Sequence, residues 1–179
     1  MLKIVKDNVA SLREKSELVT LPLSKEDENL LKEMVSYLKK SQDEKYCQKH
    51  HIRAGVGLAA PQIGVNKRMF AIYYTKEDEV VEYGLVNPKI IQNSMKKVAL
   101  KGGEGCLSVD EDHNGFVYRY DKIVMKAYDV VSKKEVLIKA KGYDAIVLQH
   151  EYDHLDGILY YDRINKEEPN KEIPNSYLL

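Results

Sequence analysis

Apolar residues recur at helical spacing in one early stretch of the chain. After Ser24, which opens a capping-box pattern with Asp27, the apolar positions are Leu30, Leu31, Met34, Tyr37 and Leu38. This pattern predicts an amphipathic helix over residues 25–40. The segment 41–53 that follows is polar, and we interpret it as a loop insertion at the surface.

Beyond Arg68 the pattern changes to short runs that are rich in β-branched and aromatic residues and are separated by Gly, Pro and Asn. Such runs predict strands that are joined by hairpins. The predicted strands cover residues 69–74, 80–86, 98–100, 116–118, 123–128 and 135–139, and the turn signals between them include Asn87-Pro88, Gly102-Gly103 and Asn114-Gly115.

A second helix is predicted from Gly142 or Tyr143 as far as Gly157, where a glycine suits a left-handed C-terminal cap. Its residues 145–148 are all apolar and cover nearly a full turn, which indicates burial on most sides. Residues 165–179 place two prolines among charges and predict a surface tail. We therefore expect one α+β domain, 1–179, in which antiparallel β-sheets surround a central buried helix.

Composition narrows the choice of function only by exclusion. The chain has 179 residues, and its 28 basic and 28 acidic residues cancel, so bulk charge favours neither nucleic acid nor a membrane surface. Two cysteines do not form a disulfide framework, and the first residues lack the apolar core of a signal peptide. A cytoplasmic location is the expectation.

The second predicted helix carries an H-E-x-x-H signature at His150, Glu151 and His154. Residues four apart share a helix face, so both imidazoles can bind one metal ion while Glu151 lies near its water. Two ligands are too few for a catalytic site. Downstream, a third histidine six residues after His154 would fall on Tyr160, so Cys106, in a glycine-rich stretch, is the better candidate.

Two other segments invite a chemical interpretation. Cys47, His50 and His51 offer three potential metal ligands, but a polar run of this kind is more typical of a solvated loop. Residues 55–64 are rich in small side chains, yet a phosphate-binding loop would require a G-K-[ST] ending that is absent from this segment.

Three segments, taken together, resemble the signature motifs of peptide deformylases. They are G-x-G-x-A-A-x-Q at residues 55–62, E-G-C-L-S at 104–108 and Q-H-E-x-D-H-L at 149–155, in that order along the chain. The long segment before Gly55 and the polar loop after Val109 resemble the subgroup that is typical of Gram-positive bacteria. His113, in that loop, is interpreted as a loop residue.

The resemblance implies a role for each motif residue. Cys106, His150 and His154 would be the metal ligands, and Glu151 the general acid and base. Gln62 and the backbone N–H of Leu107 would stabilise the oxyanion. The implied ion is Fe²⁺, for which Ni²⁺, Co²⁺ or Zn²⁺ could substitute. A site of this kind lets bound water ionise near pH ~7 instead of ~15.7.

The implied reaction is removal of the N-formyl group from the formylmethionine of nascent polypeptides, which releases formate. Gly57 and Gly105 would line a narrow site that admits the formyl group, and Gly57 would also pair with the peptide backbone. Val56, Ile146 and Val147 are candidates for the methionine pocket, although plain core packing explains each of them equally well. The implied setting is the cytoplasm, near the ribosome, as a monomer.

Two positions around the motifs are assigned supporting roles. Glu104 is expected to be a buried carboxylate that Arg119 neutralises, which would steady Cys106. Asp153 either supports an imidazole or faces solvent.

Two alternatives from other classes stay open at this point. A zincin-type endopeptidase would share His150, Glu151 and His154 but would not require Cys106. A non-catalytic, metal-stabilised module could use the same pocket for recognition only. Substitution of Cys106 and a formate assay would separate them from a deformylase.

Overall fold

A five-stranded antiparallel sheet forms the frame of the fold in the computed structural model, which describes residues 2–179. Met1, the first residue of the predicted domain, lies outside the described residues. The sheet has the order β1-β2-β3-β6-β7. The strands are β1 (Gly57–Ala59), β2 (Met69–Lys76), β3 (Glu79–Asn93), β4 (Lys97–Ala99), β5 (Arg119–Tyr120), β6 (Lys122–Asp129), β7 (Lys134–Lys141) and β8 (Ser176–Leu178).

Helices pack on both faces of this sheet. They are α1 (Lys25–Ser41), α2 (Glu44–His50) and α3 (Tyr143–His154), with short 3-10 turns at Ala10–Leu12, Ala60–Ile63 and Tyr160–Arg163. Side chains of successive strand residues point to opposite faces. Accordingly, Met69 and Ala71 of β2 pack with α1, whereas Phe70 and Ile72 pack with α3.

A second sheet covers the other side of α3. It has the order β5-β4-β8, and the Gln149 side chain on α3 both accepts from the Tyr120 N–H and donates to its carbonyl. The predicted α+β class, with β-sheets around a buried helix that carries the H-E-x-x-H residues, is confirmed. One detail differs, because β8 pairs with β4 in parallel.

The helix predicted over residues 25–40 is confirmed as α1, and the Ser24 hydroxyl accepts from the Asp27 N–H at its start. The interpretation of 41–53 as a loop is wrong for its central part, which forms α2. Asp43 caps this helix, since its carboxylate accepts from the N–H groups of Lys45 and Tyr46. His51, in the left-handed conformation, ends it.

The strand predictions fail at three places. β3 continues through Asn87-Pro88, where a positive φ of 50° at Asn87 and a register shift make a bulge instead of a turn. Residues 116–118 form no strand, because the Phe116 N–H bonds to the Pro169 carbonyl of the tail. The tail, predicted as a surface segment over 165–179, in turn ends in a short strand, β8, that was not predicted.

None of the helices within residues 2–179 combines the length and the apolar character that crossing a membrane requires.

Candidate active site

Helix α3 carries the H-E-x-x-H residues into the interior between the two sheets. It follows β7 directly, and Gly142, with φ of 59°, lets the chain turn from strand to helix. His154 is fully buried and Glu151 almost fully buried, while the His150 side chain keeps 11% of its surface exposed. The inward-facing surface of α3 therefore carries two imidazoles and one carboxylate that are largely shielded from bulk water.

Cys106 approaches these imidazoles from a turn between β4 and β5. Its Sγ lies 3.4 Å from Nε2 of His154, and one donor atom from each of Cys106, His150 and His154 lies within 4.8 Å of the others. Within residues 2–179, Cys47, His50 and His51 form no such group. Cys47 instead bonds to the Ser41 carbonyl, and His50 stacks on Tyr46.

The three donors suit a tetrahedral transition-metal site. With metal–sulfur and metal–nitrogen bonds of about 2.3 and 2.0–2.1 Å, two such ligands stand about 3.6 Å apart, close to the observed separation of Cys106 and His154. Nδ1 of His154 is buried without a partner among the described residues. Burial lowers the pKa of His154 well below its usual value, which keeps this imidazole neutral as a ligand must be.

A network of buried charged side chains contacts His150 at Nδ1. Nδ1 of His150 lies 2.8 Å from Oε2 of Glu104, and Glu104 in turn receives two hydrogen bonds, of 2.6 and 2.9 Å, from the Arg119 guanidinium. Burial alone would raise the pKa of Glu104, but Arg119 and His150 outweigh it and hold that pKa at about 2. The carboxylate therefore fixes the orientation of the imidazole and leaves Nε2 free for a metal.

Arg119 also donates a hydrogen bond to Asp153, for which the sequence predicted an imidazole partner or a solvent-facing position. Asp153 is buried, accepts from Arg119 at 2.8 Å and from Arg163 at 2.5 and 2.6 Å, and contacts neither imidazole through a hydrogen bond among the described residues. Both expectations for Asp153, an imidazole partner and a solvent-facing residue, are therefore wrong. Arg163 could not be found from sequence, because nothing local links it to α3.

Glu151 lies against the backbone of β1. A Cβ placed on Gly57 would stand 2.2 Å from Oε1 of Glu151, so only glycine fits here without displacing the carboxylate. Oε2 of Glu151 is buried without a hydrogen-bond partner among the described residues. Burial raises the pKa of Glu151 to about 7, and His150 and Arg119 partly oppose that rise. A carboxyl group with this pKa can both accept and release a proton near neutral pH.

Gln62 is held rigidly beside Cys106. Its Oε1 accepts from the Ala59 N–H at 2.8 Å, which leaves Nε2 to face Sγ of Cys106 at 3.4 Å and Oγ of Ser108 at 3.2 Å. Ser108 is fully buried, and the sequence analysis did not single it out. The amide donor of Gln62 thus points at Cys106, one of the three candidate metal ligands.

A cavity of about 360 Å³ opens onto this group. Every residue that the sequence analysis assigned to substrate binding lines it: Val56, Gly57, Gly105, Ile146 and Val147. Its further lining includes Gln62, Cys106, Leu107, His150 and Glu151, and also Gln42, Arg53 and Tyr143, which the sequence did not indicate. A Cβ on Gly105 would meet no atom within 4 Å, so the packing requires glycine at position 57 and not at position 105.

Sequence comparison relates the chain to one family of proteins over most of its length. A family model described as polypeptide deformylase matches residues 1–170. A peptide deformylase from Oceanobacillus iheyensis is 47% identical over 170 residues, which cover 94% of this chain and 92% of the relative. One from Lacticaseibacillus casei is 46% identical and covers 100% of this chain and 98% of the relative. These relatives come from Gram-positive bacteria, in agreement with the subgroup inferred from the segment before Gly55 and the loop after Val109.

Solved structures agree with the sequence matches. A probable peptide deformylase from the Synechococcus phage S-SSM7 superposes with a TM-score of 0.74 at 38% identity, over 92% of this chain and 100% of that chain. A peptide deformylase 1B from Arabidopsis thaliana, in complex with an inhibitor, has a TM-score of 0.75 at 30% identity, over 93% and 83% of the two chains. The chain therefore belongs to the polypeptide deformylase family.

Proposed function

We propose that this chain is a metal-dependent hydrolase that removes the formyl group from the N-terminal formylmethionine of nascent polypeptides. The observation that carries the proposal is the convergence of Cys106, His150 and His154 within 4.8 Å, at a cavity that Glu151 also lines. Family membership supplies the reaction class, and this donor set supplies the chemistry that the class needs.

Cys106, His150 and His154 would hold one divalent ion. When bound, such an ion polarises a carbonyl and lowers the pKa of water. Glu104 holds His150 in the tautomer that leaves Nε2 free, and Arg119 keeps Glu104 ionised. One sulfur and two nitrogens leave room for water in a four-coordinate site.

Glu151 moves the protons of the reaction. Its carboxylate takes a proton from the attacking water and later gives that proton to the amine nitrogen as the carbon–nitrogen bond breaks, so the products are formate and a free N-terminus. The raised pKa of Glu151, about 7, suits both transfers. Its burial against Gly57 keeps the carboxylate in one position.

Gln62 and the backbone N–H of Leu107 would stabilise the negative charge that develops on the formyl oxygen. The Gln62 amide is fixed through Oε1 on the Ala59 N–H, and among the described residues its Nε2 donor faces Cys106 and Ser108, on the side where the oxyanion would develop. Gly57 lines the cavity beside Glu151, and the formyl carbon, which carries only hydrogen, would fit there more easily than a bulkier acyl group. Val56, Ile146 and Val147 would receive the methionine side chain.

The edge position of β1 suits an extended peptide. β1 pairs with β2 on one side and has no strand on the other among the described residues. A peptide could add there through main-chain hydrogen bonds to Gly57. Such bonds bind a backbone without reading its side chains, so they suit an enzyme that acts on many different nascent chains.

The physiological ion is proposed to be Fe²⁺, which Ni²⁺, Co²⁺ or Zn²⁺ could replace. Ferrous iron beside a thiolate is prone to oxidation, so the iron-loaded enzyme is expected to lose activity in air while the nickel-loaded enzyme keeps it. Formate release, followed during aerobic and anaerobic incubation, measures this. Equal stability of the two forms would argue against iron as the native ion.

The proposed setting follows from the substrate. Formylmethionine occurs at the start of newly made chains, so the enzyme is proposed to work in the cytoplasm, close to the ribosome. We propose that it acts as a monomer and that residues 1–179 form a single domain, since the proposed catalytic residues all come from one chain.

Formate production from formyl-Met-Ala, with one defined metal and with or without a chelator, tests the proposal. Glu151→Gln is expected to retain the metal and lose roughly 10²–10⁴ in turnover, the usual contribution of a general acid–base group. Glu33→Gln on the exposed face of α1 is the matched control and is expected to match the wild type. Absence of formate from the metal-loaded wild type would refute the function.

Cys106→Ser separates the proposal from a zincin-type endopeptidase. A serine hydroxyl is a poorer ligand for these metals than a thiolate, so the variant is expected to bind less metal and to release little formate. Full metal content together with cleavage of internal peptide bonds would favour the endopeptidase. Metal binding without any hydrolysis by the wild type would favour a recognition module.

A further inference from the structure

The turn that follows Cys106 is held by other segments at each of its four carbonyl groups. The Val109 N–H closes the turn on the Cys106 carbonyl at 3.2 Å. The Leu107 carbonyl accepts from Nζ of Lys6 at 3.3 Å, and the Ser108 carbonyl accepts from the Asp7 N–H at 3.0 Å. A turn anchored in this way has a fixed backbone orientation.

Arg53 contacts the carbonyl groups of Cys106 and Val109, at the two ends of the turn. One terminal nitrogen of its guanidinium donates to the Cys106 carbonyl at 2.6 Å and to the Val109 carbonyl at 2.9 Å. Its side chain is 49% exposed and also lines the cavity. The nearest carboxylate, that of Asp110, is 3.8 Å away and is bound more closely by Lys6, at 2.6 Å. Arg53 is therefore directed mainly at the backbone of the turn.

The Cys106 carbonyl and the Leu107 N–H belong to the same peptide group. A trans peptide is planar, and its C=O and N–H point in opposite directions, so fixing one fixes the other. Within residues 2–179, no backbone carbonyl accepts from the Leu107 N–H. A cation that bonds to the carbonyl also draws electron density from the amide, which makes its N–H a stronger donor.

We propose that Arg53 is a positioning residue that aims and polarises the Leu107 N–H as an oxyanion donor. This inference rests on the proposed function, in which that N–H contacts the developing charge. Arg53 itself contacts no reacting atom. Its effect passes through one peptide group, so it should alter the rate of the chemical step more than the binding of the substrate.

A purely structural role for Arg53 makes a different prediction. If the guanidinium only kept the turn folded, its loss would displace Cys106 and reduce metal binding. If it only bound the peptide substrate, its loss would raise KM and spare kcat. The positioning role predicts a lower kcat with metal content and KM nearly unchanged.

The experiment compares Arg53→Ala and Arg53→Lys with the wild type, all loaded with cobalt and assayed on formyl-Met-Ala. Arg53→Ala is expected to lower kcat about tenfold, less than the roughly 10²–10³ for outright removal of a donor, since the N–H remains. The cobalt absorption spectrum should stay unchanged. Arg53→Lys should recover part of kcat, and guanidinium ion added at a non-denaturing concentration should partly rescue Arg53→Ala.

Lys39→Ala on α1 is the matched control, because it also removes one partly exposed, ion-paired cation, and it should behave as the wild type.

A kcat of Arg53→Ala within twofold of the wild type overturns the inference. So does a loss confined to KM, or one that follows a change in metal content or in the cobalt spectrum. If Arg53→Ala does not fold, Arg53→Met, which also lacks the cation, is judged by the same outcomes in its place. If the wild type is active and the variants give one of these outcomes, only this inference is refuted. If the wild type is inactive, the proposed function is refuted as well.

Discussion

At the residue scale, the contact between Gly57 and Glu151 is the tightest constraint on the site. A Cβ on Gly57 would overlap the Glu151 carboxylate at 2.2 Å, so Gly57→Ala must push that carboxylate out of place. The proposed ligands Cys106, His150 and His154 do not meet this Cβ among its three nearest atoms. We expect Gly57→Ala to keep its metal and to lose roughly 10²-fold in kcat, within the range for a misplaced general base.

Metal analysis and steady-state assays of the same preparation measure both quantities. Gly102→Ala is the control, because a Cβ there meets no atom within 4 Å and its φ is not in the left-handed region. Near-normal kcat in Gly57→Ala would mean that Glu151 can work from a second position, and it would contradict the steric argument.

The Glu104 carboxylate is expected to matter for both stability and metal affinity. Its side chain is 3% exposed, and Glu104→Gln would leave the buried Arg119 guanidinium with Asp153 as its remaining partner. Removal of one member of a buried ion pair costs about 3–5 kcal/mol, and loss of a carboxylate behind a metal-binding histidine costs about 10–100-fold in affinity. Urea unfolding and competitive metal titration measure the two effects.

Glu135→Gln provides the comparison for Glu104→Gln. Glu135 makes the same kind of ion pair, with Lys126 at 3.2 Å, but its side chain is 67% exposed. A surface pair contributes only about 0–1 kcal/mol, so this variant should unfold at nearly the wild-type urea concentration. Similar losses in the two variants would show that burial of the Glu104 pair is not what stabilises it.

Residues with a strong local signature could be predicted from the sequence, and their distant partners could not. His150, Glu151 and His154 share one helix face by spacing alone, and Cys106 stood out by its glycine-rich surroundings. Arg53 contacts the Cys106 turn from a position 53 residues earlier. Its cationic side chain stands two residues before the first motif, but no periodicity connects it with a carbonyl group elsewhere in the chain.

At the element scale, sequence reasoning succeeded where one physical cause dominates. The apolar periodicity and the Ser24 cap define α1 almost to the residue. It failed where the cause is a tertiary contact, as in the uninterrupted course of β3 past Asn87-Pro88 and the pairing of β8 with β4. A proline that predicts a turn from its local sequence can lie in a bulge instead, when the residues on both sides of it continue to pair with a neighbouring strand.

The last strand is expected to contribute to stability through one side chain. The Tyr177 hydroxyl on β8 donates to Oδ1 of Asp121 at 2.6 Å, and this bond, first, and burial, second, raise the pKa of Tyr177 to about 12. Tyr177→Phe removes this bond and little else, and a hydrogen bond to a charged group contributes about 1.5–3 kcal/mol. For a domain of this size that corresponds to a fall in Tm of roughly 3–12 °C.

Calorimetry of the metal-loaded protein measures that fall. Tyr46→Phe is a suitable control, since the Tyr46 hydroxyl takes part in no hydrogen bond among residues 2–179 and its ring stacks on His50. An unchanged Tm in Tyr177→Phe would mean that the main-chain pairing of β8 with β4 is sufficient to hold the strand.

At the scale of the whole molecule, the proposed metal site would add a further connection between the second sheet and α3, which hydrogen bonds such as Gln149–Tyr120 and Arg119–Asp153 already join. Cys106 lies after β4 of the second sheet, while His150 and His154 lie on the helix between the two sheets. The overall class could be predicted because helix and strand patterns segregate along the sequence. The arrangement of two sheets around α3 depends on contacts such as that of Gln149 with Tyr120, which no local pattern encodes.

Removal of the metal is therefore expected to lower the stability of the entire domain. A ligand that binds only the folded state stabilises it by about 2.7 kcal/mol at 100 times its Kd, which for this chain length corresponds to a Tm shift of roughly 5–11 °C. Scanning calorimetry with and without chelator should show that shift in the wild type and not in Cys106→Ser.

Nickel should restore the Tm and calcium should not, because a thiolate and two imidazoles suit a borderline transition metal and not a hard, oxygen-seeking cation. An equal Tm with and without chelator would mean that the three donors do not bind a metal in common.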